Sequence, residues 1–596
     1  MAKHRAEIEN KYKWAIEDMY PKEEQWEADC QKALGLAEGF ASFAGKLSKD
    51  GASLFAALKA RDELWRLTEH IYVYARMRRD ENNTDARYQA MADRAQTLMA
   101  KAAAGTAFFI PEITQLGEKK VETLRAEEPG IEAYDFVLRT IFREKPHVLP
   151  PGEEALLARL GEVLGATGDI FTMINDADMK FGETLGEDGQ PTELTHGNYI
   201  KFMESKNREV RKTAYETLYA AFSRQRNTLA ATYSYNTKTD VIASKIRAYP
   251  SSLAAALAGD NVREDVYTNL IGRVGDSLPV LHRYLEVRRR LLEVPKLEMY
   301  DIYVPLVARG EQEVSFADAA AMMHTALAPL GTEYTQQANS AFTDGWIDVY
   351  ENEGKSSGAY SFGSYDSKPY ILMNYAGKLK DVFTLVHEMG HSMHSFYTRR
   401  RQPFTYGSHS IFTAEVASTV NENLLVRYLL DHSADEKERA YFLNFYIEEF
   451  RTTLFRQTMF AEFEKMTHEA VENGEALTCE LLSERYGGLN EKYFGPAVHT
   501  DELIRMEWSR IPHFYRAFYV YKYATGFSAA AAIANRILTG GQSAVEDYIR
   551  FLESGDSDDP IELLKIAGVD MSKPEPVEAA MRTFEKLVSE FDDITK

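Results

Sequence analysis

The stretch from Asp381 to His394 carries the residues best suited to chemistry. It contains His387-Glu388-Met389-Gly390-His391, an H-E-x-x-H pattern. On a helix the two histidines lie four residues apart on one face, where both imidazoles can reach one metal ion. Glu388 is turned by about 100° from its neighbour. It stands outside that coordination but within reach of a water on the ion's open side. Two imidazoles with a nearby carboxylate base are what metal-assisted peptide hydrolysis requires. The competing reading is a helix with two ordinary histidines. Val382, Phe383, Leu385 and Val386 lead into the motif and predict a buried helix, on which histidines need partners.

A third protein ligand is needed. His394 shares the face of His387 but lies about 10 Å further along the axis. Three ligands in line on a straight helix splay for a tetrahedral ion. The extension H-x-x-G-x-x-H is absent, with His at 394 and Tyr at 397, which disfavours a metzincin. Glu415 is the better candidate. It lies in a predicted second helix, Ile411 to Glu422, where Ala414, Ala417 and Ser418 allow close packing. A carboxylate among small and apolar residues is costly unless paired or bound to metal. Glu422 falls on the same face and is read either as orienting a histidine ligand or as an exposed helix carboxylate.

These residues carry a resemblance. His387 to Ser392, followed by Phe412 to Glu422, resembles the oligoendopeptidase F group of the thimet-oligopeptidase-like zinc metallopeptidases. Angiotensin-converting-enzyme-like dipeptidases share the H-E-M-G-H core and a downstream Glu, but the flanking residues here are more similar to the oligoendopeptidases. The resemblance implies zinc on His387, His391 and Glu415, one ion per chain, with Glu388 as catalytic base. Zinc suits two imidazoles and a carboxylate, although cobalt or manganese can occupy such sites. It also implies a mainly α, two-lobed body with a deep channel that admits short unfolded peptides. In this family a His followed by spaced tyrosines supplies donors to the oxyanion of the reaction. Arg510 to Gly526 offers His513 with Tyr515, Tyr519, Tyr521 and Tyr523. Tyr519 and Tyr523, one helical turn apart after a start at Pro512, match best. The Gly-Gly pair of more distant members is missing, so the choice among the four stays open.

Other elements must position this chemistry. Ser357 to Gly363 and Pro369 to Tyr375 are the most strand-like segments and predict a small sheet beside the metal helix. Its edge could pair with an extended peptide backbone. Leu54, Leu58, Leu64, Leu67 and Ile71 recur at helical spacing and predict an N-terminal helical lobe over residues 1–190, followed by a catalytic domain over 191–596. Lys145 to Gly152 is a breaker run with His147 in an exposed loop. Glycines between 178 and 196 predict a hairpin or loop. Arg288, Arg289 and Arg290 predict a solvated helix face. The stretch before Gly568 predicts a short helix ending there.

Composition bounds the rest. A chain of 596 residues exceeds one ordinary core. Its net charge of −22 argues against nucleic acid as a partner. Two cysteines, Cys30 and Cys479, form no disulfide framework and suit a reducing compartment. The charged start lacks an apolar signal core, and no run suits a membrane span. The expectation is a cytoplasmic zinc oligoendopeptidase acting on oligopeptides. The alternatives are a dipeptidyl carboxypeptidase, which needs a cationic pocket for the substrate carboxylate, and a peptide-binding helical protein without catalysis.

Overall fold

A computed structural model describes residues 3–308 and 313–596. The protein is mainly helical, with three small sheets among the described residues. Its chain forms two compact units assembled from separated segments. The first comprises Met1–Pro146, Glu311–Tyr428 and Ile533–Val569; the second comprises His147–Gly310, Leu429–Ala532 and Asp570–Lys596. The division expected near residue 190 therefore falls inside the second unit. Long-range packing sets the compact units, and linear composition carries little trace of it.

In the first unit, helices Glu23–Phe40, Gly51–Glu81 and Ala86–Thr106 pack on one another. Asp50 caps the second of them through the Ser53 amide at 2.8 Å. Trp14, Trp26, Ile71, Tyr74 and Met77 share a core with Tyr370 and Leu372 of a three-stranded sheet. The N-terminal helices thus buttress this sheet. Its central strand, Tyr370–Leu372, pairs antiparallel with Tyr360–Phe362 and parallel with Ile347–Asp348. Both strands predicted from residues 357–375 are present, in shorter form. Tyr360 and Ser356 donate to the buried Asp80 at 2.9 and 3.1 Å, tying the long second helix to the sheet.

Against the sheet lies the metal helix, Leu379–Arg401. Asp381 in its first turn accepts from the amides of Ala376 and Lys378, both at 2.9 Å. Arg399, Arg400 and Arg401 end it. Acid at the start and base at the end match the helix dipole. Val382, Leu385, Val386, Met389 and Met393 form its fully buried stripe. The expected helix before Gly568 spans Pro560–Ile566, and Gly568 takes a positive φ of 76°.

The second unit is built on helices that include Pro151–Thr172, Arg226–Ile246, Glu264–Asp276, Leu278–Leu291, Arg456–Glu472 and Cys479–Phe494. The expected hairpin pairs Glu183–Leu185 with Pro191–Glu193. The arginine triplet differs from expectation. Arg288 is only 1 % exposed and donates to the carbonyls of Asp301 and Val304. Three adjacent helix residues face different directions, so a run of like charge need not lie on one solvated face. His147 also differs. It ends a short 3₁₀ turn, its Nδ1 lies 2.7 Å from the Arg247 carbonyl oxygen, and its ring stacks on Tyr249. Among the described residues no helix is long and apolar enough to cross a membrane.

One buried ion pair secures the sheet. The Lys355 ammonium is fully buried, 2.7 Å from Asp348 Oδ1, and also donates to the carbonyls of Asp348, Tyr350 and Met373. Arg5 holds Asp348 Oδ2 at 2.6 Å. Burial opposes the Asp348 charge, but Lys355 and Arg5 prevail and depress its pKa. A carboxyl with a depressed folded pKa contributes stability above its unfolded value of about 3.9 and loses it as pH falls through the folded value. Asp348→Asn should therefore cost about 3 kcal/mol at neutral pH, the scale for stranding a buried cation. That cost should shrink in acid, and denaturant unfolding at pH 7 and below pH 4 measures both.

Candidate metal centre

The metal helix meets the helix Ile411–Asp431 at an unusually short distance. A Cβ added at Gly390 would lie 2.5 Å from Ser418 Cα and 2.7 Å from the Ala417 carbonyl oxygen. Only glycine permits that approach. Asn421 adds a hydrogen bond to the Val386 carbonyl at 3.4 Å, and Tyr334 donates to Asn421 at 3.1 Å. Of the small residues anticipated at 414, 417 and 418, Ala417 and Ser418 make this contact. Its counterpart, Gly390, was not singled out from the sequence, although it stands inside the motif.

The contact brings Glu415 to the two histidines. His387 Nε2 and His391 Nε2 lie 3.2 Å apart. Glu415 Oε2 is 3.4 Å from the first and 3.5 Å from the second. In a tetrahedral site with bonds of about 2.0–2.1 Å, ligand atoms should stand about 3.3 Å apart. Three donors from two helices thus already form one face of such a tetrahedron. They are the single group of this kind among the described residues. His394 takes no part. It is buried against His409, the ring centroids 4.0 Å apart.

Surrounding groups settle the roles of the ring nitrogens. Glu422 Oε1 lies 3.1 Å from His387 Nδ1, which leaves Nε2 to face Glu415 and His391. Ser418 Oγ donates to Glu415 Oε2 at 3.2 Å. Burial works against a charged His387, yet Glu415 and Glu422 outweigh it and raise its pKa well above the ordinary value. Burial lowers His391 to about 4, with His387 adding to the effect. Glu415 falls to about 2; burial resists, and His387 and His391 prevail. The carboxylates of Glu415 and Glu422 place negative charge beside the two imidazoles, and a divalent cation would meet that charge. The donor set fits a zinc-type ion.

Glu388 is 8 % exposed and beside this set rather than in it. Burial pushes its carboxyl up to about 7, partly offset by His387 and by the backbone of Ser361 on the adjoining strand. Ser361 and Ser392 share a hydroxyl contact at 2.8 Å that fixes strand to helix.

The aromatic segment lies in the second unit. The chain after Pro512 makes only one 3₁₀ turn, Pro512–Tyr515, and the helix begins at Tyr521. Tyr519 therefore precedes the helix, contrary to the expected single helix from Pro512. Apolar and aromatic spacing continued through a backbone break at Phe518, whose φ is 52°. The rings of His513, Tyr519 and Tyr523 still gather, with centroids 5.4–6.3 Å apart. Tyr515 stacks on Phe171 instead, and Tyr521 is buried against Tyr267.

A helical fold with a His-His-Glu set and an adjacent buried carboxyl defines a metallopeptidase class. The family comparisons sharpen this. The profile of peptidase family M3 matches residues 201–583, and that of oligopeptidase F matches residues 112–181. The chain is 44 % identical to oligopeptidase PepF of Bacillus subtilis, covering 99 % of this chain and 88 % of that protein. It is 40 % identical to group B oligopeptidase PepB of Streptococcus agalactiae, covering 100 % and 99 %. The crystal structure of oligoendopeptidase-F from Enterococcus faecium superposes with a TM-score of 0.75 at 38 % identity, covering 96 % and 99 %. The chain belongs to peptidase family M3, within its oligopeptidase F group, and is a metallo-oligopeptidase.

Gly390→Ala should force the two helices apart, because the atoms that the added methyl would meet belong to the backbone of Ala417 and Ser418. We expect a loss of about 1–3 kcal/mol in stability and a metal affinity reduced by about tenfold or more. Thermal unfolding and competition with a chromophoric chelator measure the two effects.

Proposed function

We propose that the chain is a zinc-dependent endopeptidase that hydrolyses internal bonds of short unfolded peptides. The observation that carries this is the triangle of His387, His391 and Glu415 donors, 3.2–3.5 Å on a side, with the Glu388 carboxyl beside it. These three residues would hold zinc, which when bound supplies Lewis acidity to a water and to the scissile carbonyl. Glu422 keeps the His387 tautomer that presents Nε2. Glu388 takes the proton from the attacking water and passes it to the leaving amine, so that hydroxyl is added to carbon and hydrogen to nitrogen. A carboxyl buried enough to sit near neutrality suits both transfers. His513, Tyr519 and Tyr523 are assigned to donating hydrogen bonds to the carbonyl oxygen as it gains charge. The strand Tyr360–Phe362 lies at the edge of its sheet, where an extended substrate backbone can pair with it. Similarity to oligopeptidases along the whole chain supports short peptides as substrates. Two buried, unpaired cysteines suit work in the cytoplasm.

Peptides of graded length, incubated with and without chelator and read by mass spectrometry, test the activity. Internal cuts that vanish with chelator and return with zinc are expected. Release of C-terminal dipeptides, lost on C-terminal amidation, would instead identify a carboxypeptidase. Glu388→Gln should retain one metal per chain and lose about 10²–10⁴-fold in kcat, the range for a general acid–base residue. Metal content and kcat measured on one preparation separate that outcome from simple loss of the ion.

A further inference from the structure

The segment that carries the assigned carbonyl donors is held in an unfavourable conformation. The Tyr519 amide donates to the Arg516 carbonyl at 3.2 Å, closing a turn. Phe518, its third residue, has a φ of 52°. A non-glycine residue there costs of order 1–3 kcal/mol and persists only where its surroundings impose it. Two contacts do so. The Phe518 ring is buried, 4.4 Å from the His468 ring and 5.7 Å from that of Tyr267. The Phe518 amide donates to Glu464 Oε1 at 3.0 Å.

Glu464 is an unexpected residue for that place. It is fully buried in the helix Arg456–Glu472, beside Met459, Phe460, Ala461 and Phe463. Its second oxygen, Oε2, has no hydrogen-bond partner among the described residues. Burial raises its pKa well above the carboxylate range, with Asp240 adding to the effect. Methionine or leucine would fill the space without the cost of burying a carboxyl. What an apolar side chain could not provide is an acceptor for the Phe518 amide, which the turn leaves pointing into the core.

We propose that Glu464 is a positioning residue: its carboxyl fastens the Phe518 amide and so fixes the turn from Arg516 to Tyr519 that sets where His513, Tyr519 and Tyr523 present their donors. This rests on the assignment of those three side chains to the substrate carbonyl. Tyr519 is one peptide bond from the fastened amide. Its ring lies under the Arg516 guanidinium at 4.3 Å, so both ends of the turn bear on its orientation. Releasing Phe518 would allow the turn to relax to negative φ and would rotate the Tyr519 ring away from His513 and Tyr523.

The test uses zinc-loaded enzyme and three variants. Glu464→Met fills the volume without an acceptor, Glu464→Asp withdraws the acceptor by one methylene, and Glu464→Gln keeps it. The readouts are kcat and KM on a peptide and deuterium exchange over residues 513–523. Met and Asp should speed exchange there and lower kcat by about tenfold to a hundredfold with KM nearly unchanged, the signature of a lost transition-state contact. Gln should restore both. Combined with Tyr519→Phe, the Met substitution should cost far less than it does alone. Unchanged exchange in both Met and Asp overturns the proposal, as does faster exchange with unaltered kcat where His513→Gln or Tyr519→Phe itself lowers kcat. An equal loss with and without Tyr519→Phe also overturns it, since that marks general damage. If His513→Gln and Tyr519→Phe keep full kcat, the donor assignment fails by itself. The anchor is then judged by exchange alone: faster exchange upholds it and unchanged exchange overturns it.

Discussion

The candidate metal centre depends on the close approach of two helix backbones at Gly390 and Ser418. Two histidines on one helix can offer only one edge of a coordination polyhedron. The third donor must come from elsewhere, and a glutamate side chain has a fixed reach. With a side chain at position 390 the helices would separate and Glu415 would fall short of the shared point. Packing and chemistry are therefore one requirement here. The glycine that admits the neighbouring backbone sits between the catalytic-type glutamate and the second histidine, and the residues it meets belong to the turn after Glu415.

Around that contact further groups hold the candidate donors and their helix in place. Glu422 sets one imidazole, Ser418 steadies the carboxylate, and Ser361 ties the neighbouring strand to the helix. The strand in turn belongs to a sheet whose ends are gathered by the buried Lys355 and Asp348. A buried ion pair is an expensive fastening, and it is tolerated here because Lys355 satisfies three backbone carbonyls as well as one carboxylate. The N-terminal helices, which carry no candidate chemistry, complete the support by sharing a core with Tyr370 and Leu372.

The aromatic segment follows a different logic. Its residue types suggest one amphipathic helix from Pro512, and periodicity alone gives no reason to break it. The break at Phe518 is imposed by tertiary contacts, a buried ring and a buried acceptor, that lie far away in sequence. Local propensity is a weak guide where such contacts outweigh it. The same holds for Arg288, whose burial follows from carbonyls around residues 301–304, and for the interleaved units, which no linear boundary describes.

By itself the sequence determined the helical class, the metal motif, the candidate third ligand, the strand pair beside it and the family resemblance. These are legible because each rests on short-range spacing: four residues between histidines, small residues on one helix face, alternation in a short strand. Only the tertiary structure decided that Gly390 and Ser418 touch, that Glu422 faces His387 Nδ1, and that Tyr519 and Tyr523 join His513 while Tyr515 stacks on Phe171 and Tyr521 is buried against Tyr267. Those outcomes depend on which distant segments meet. Burial and hydrogen bonding between such segments involve energies larger than the local preferences that a sequence displays.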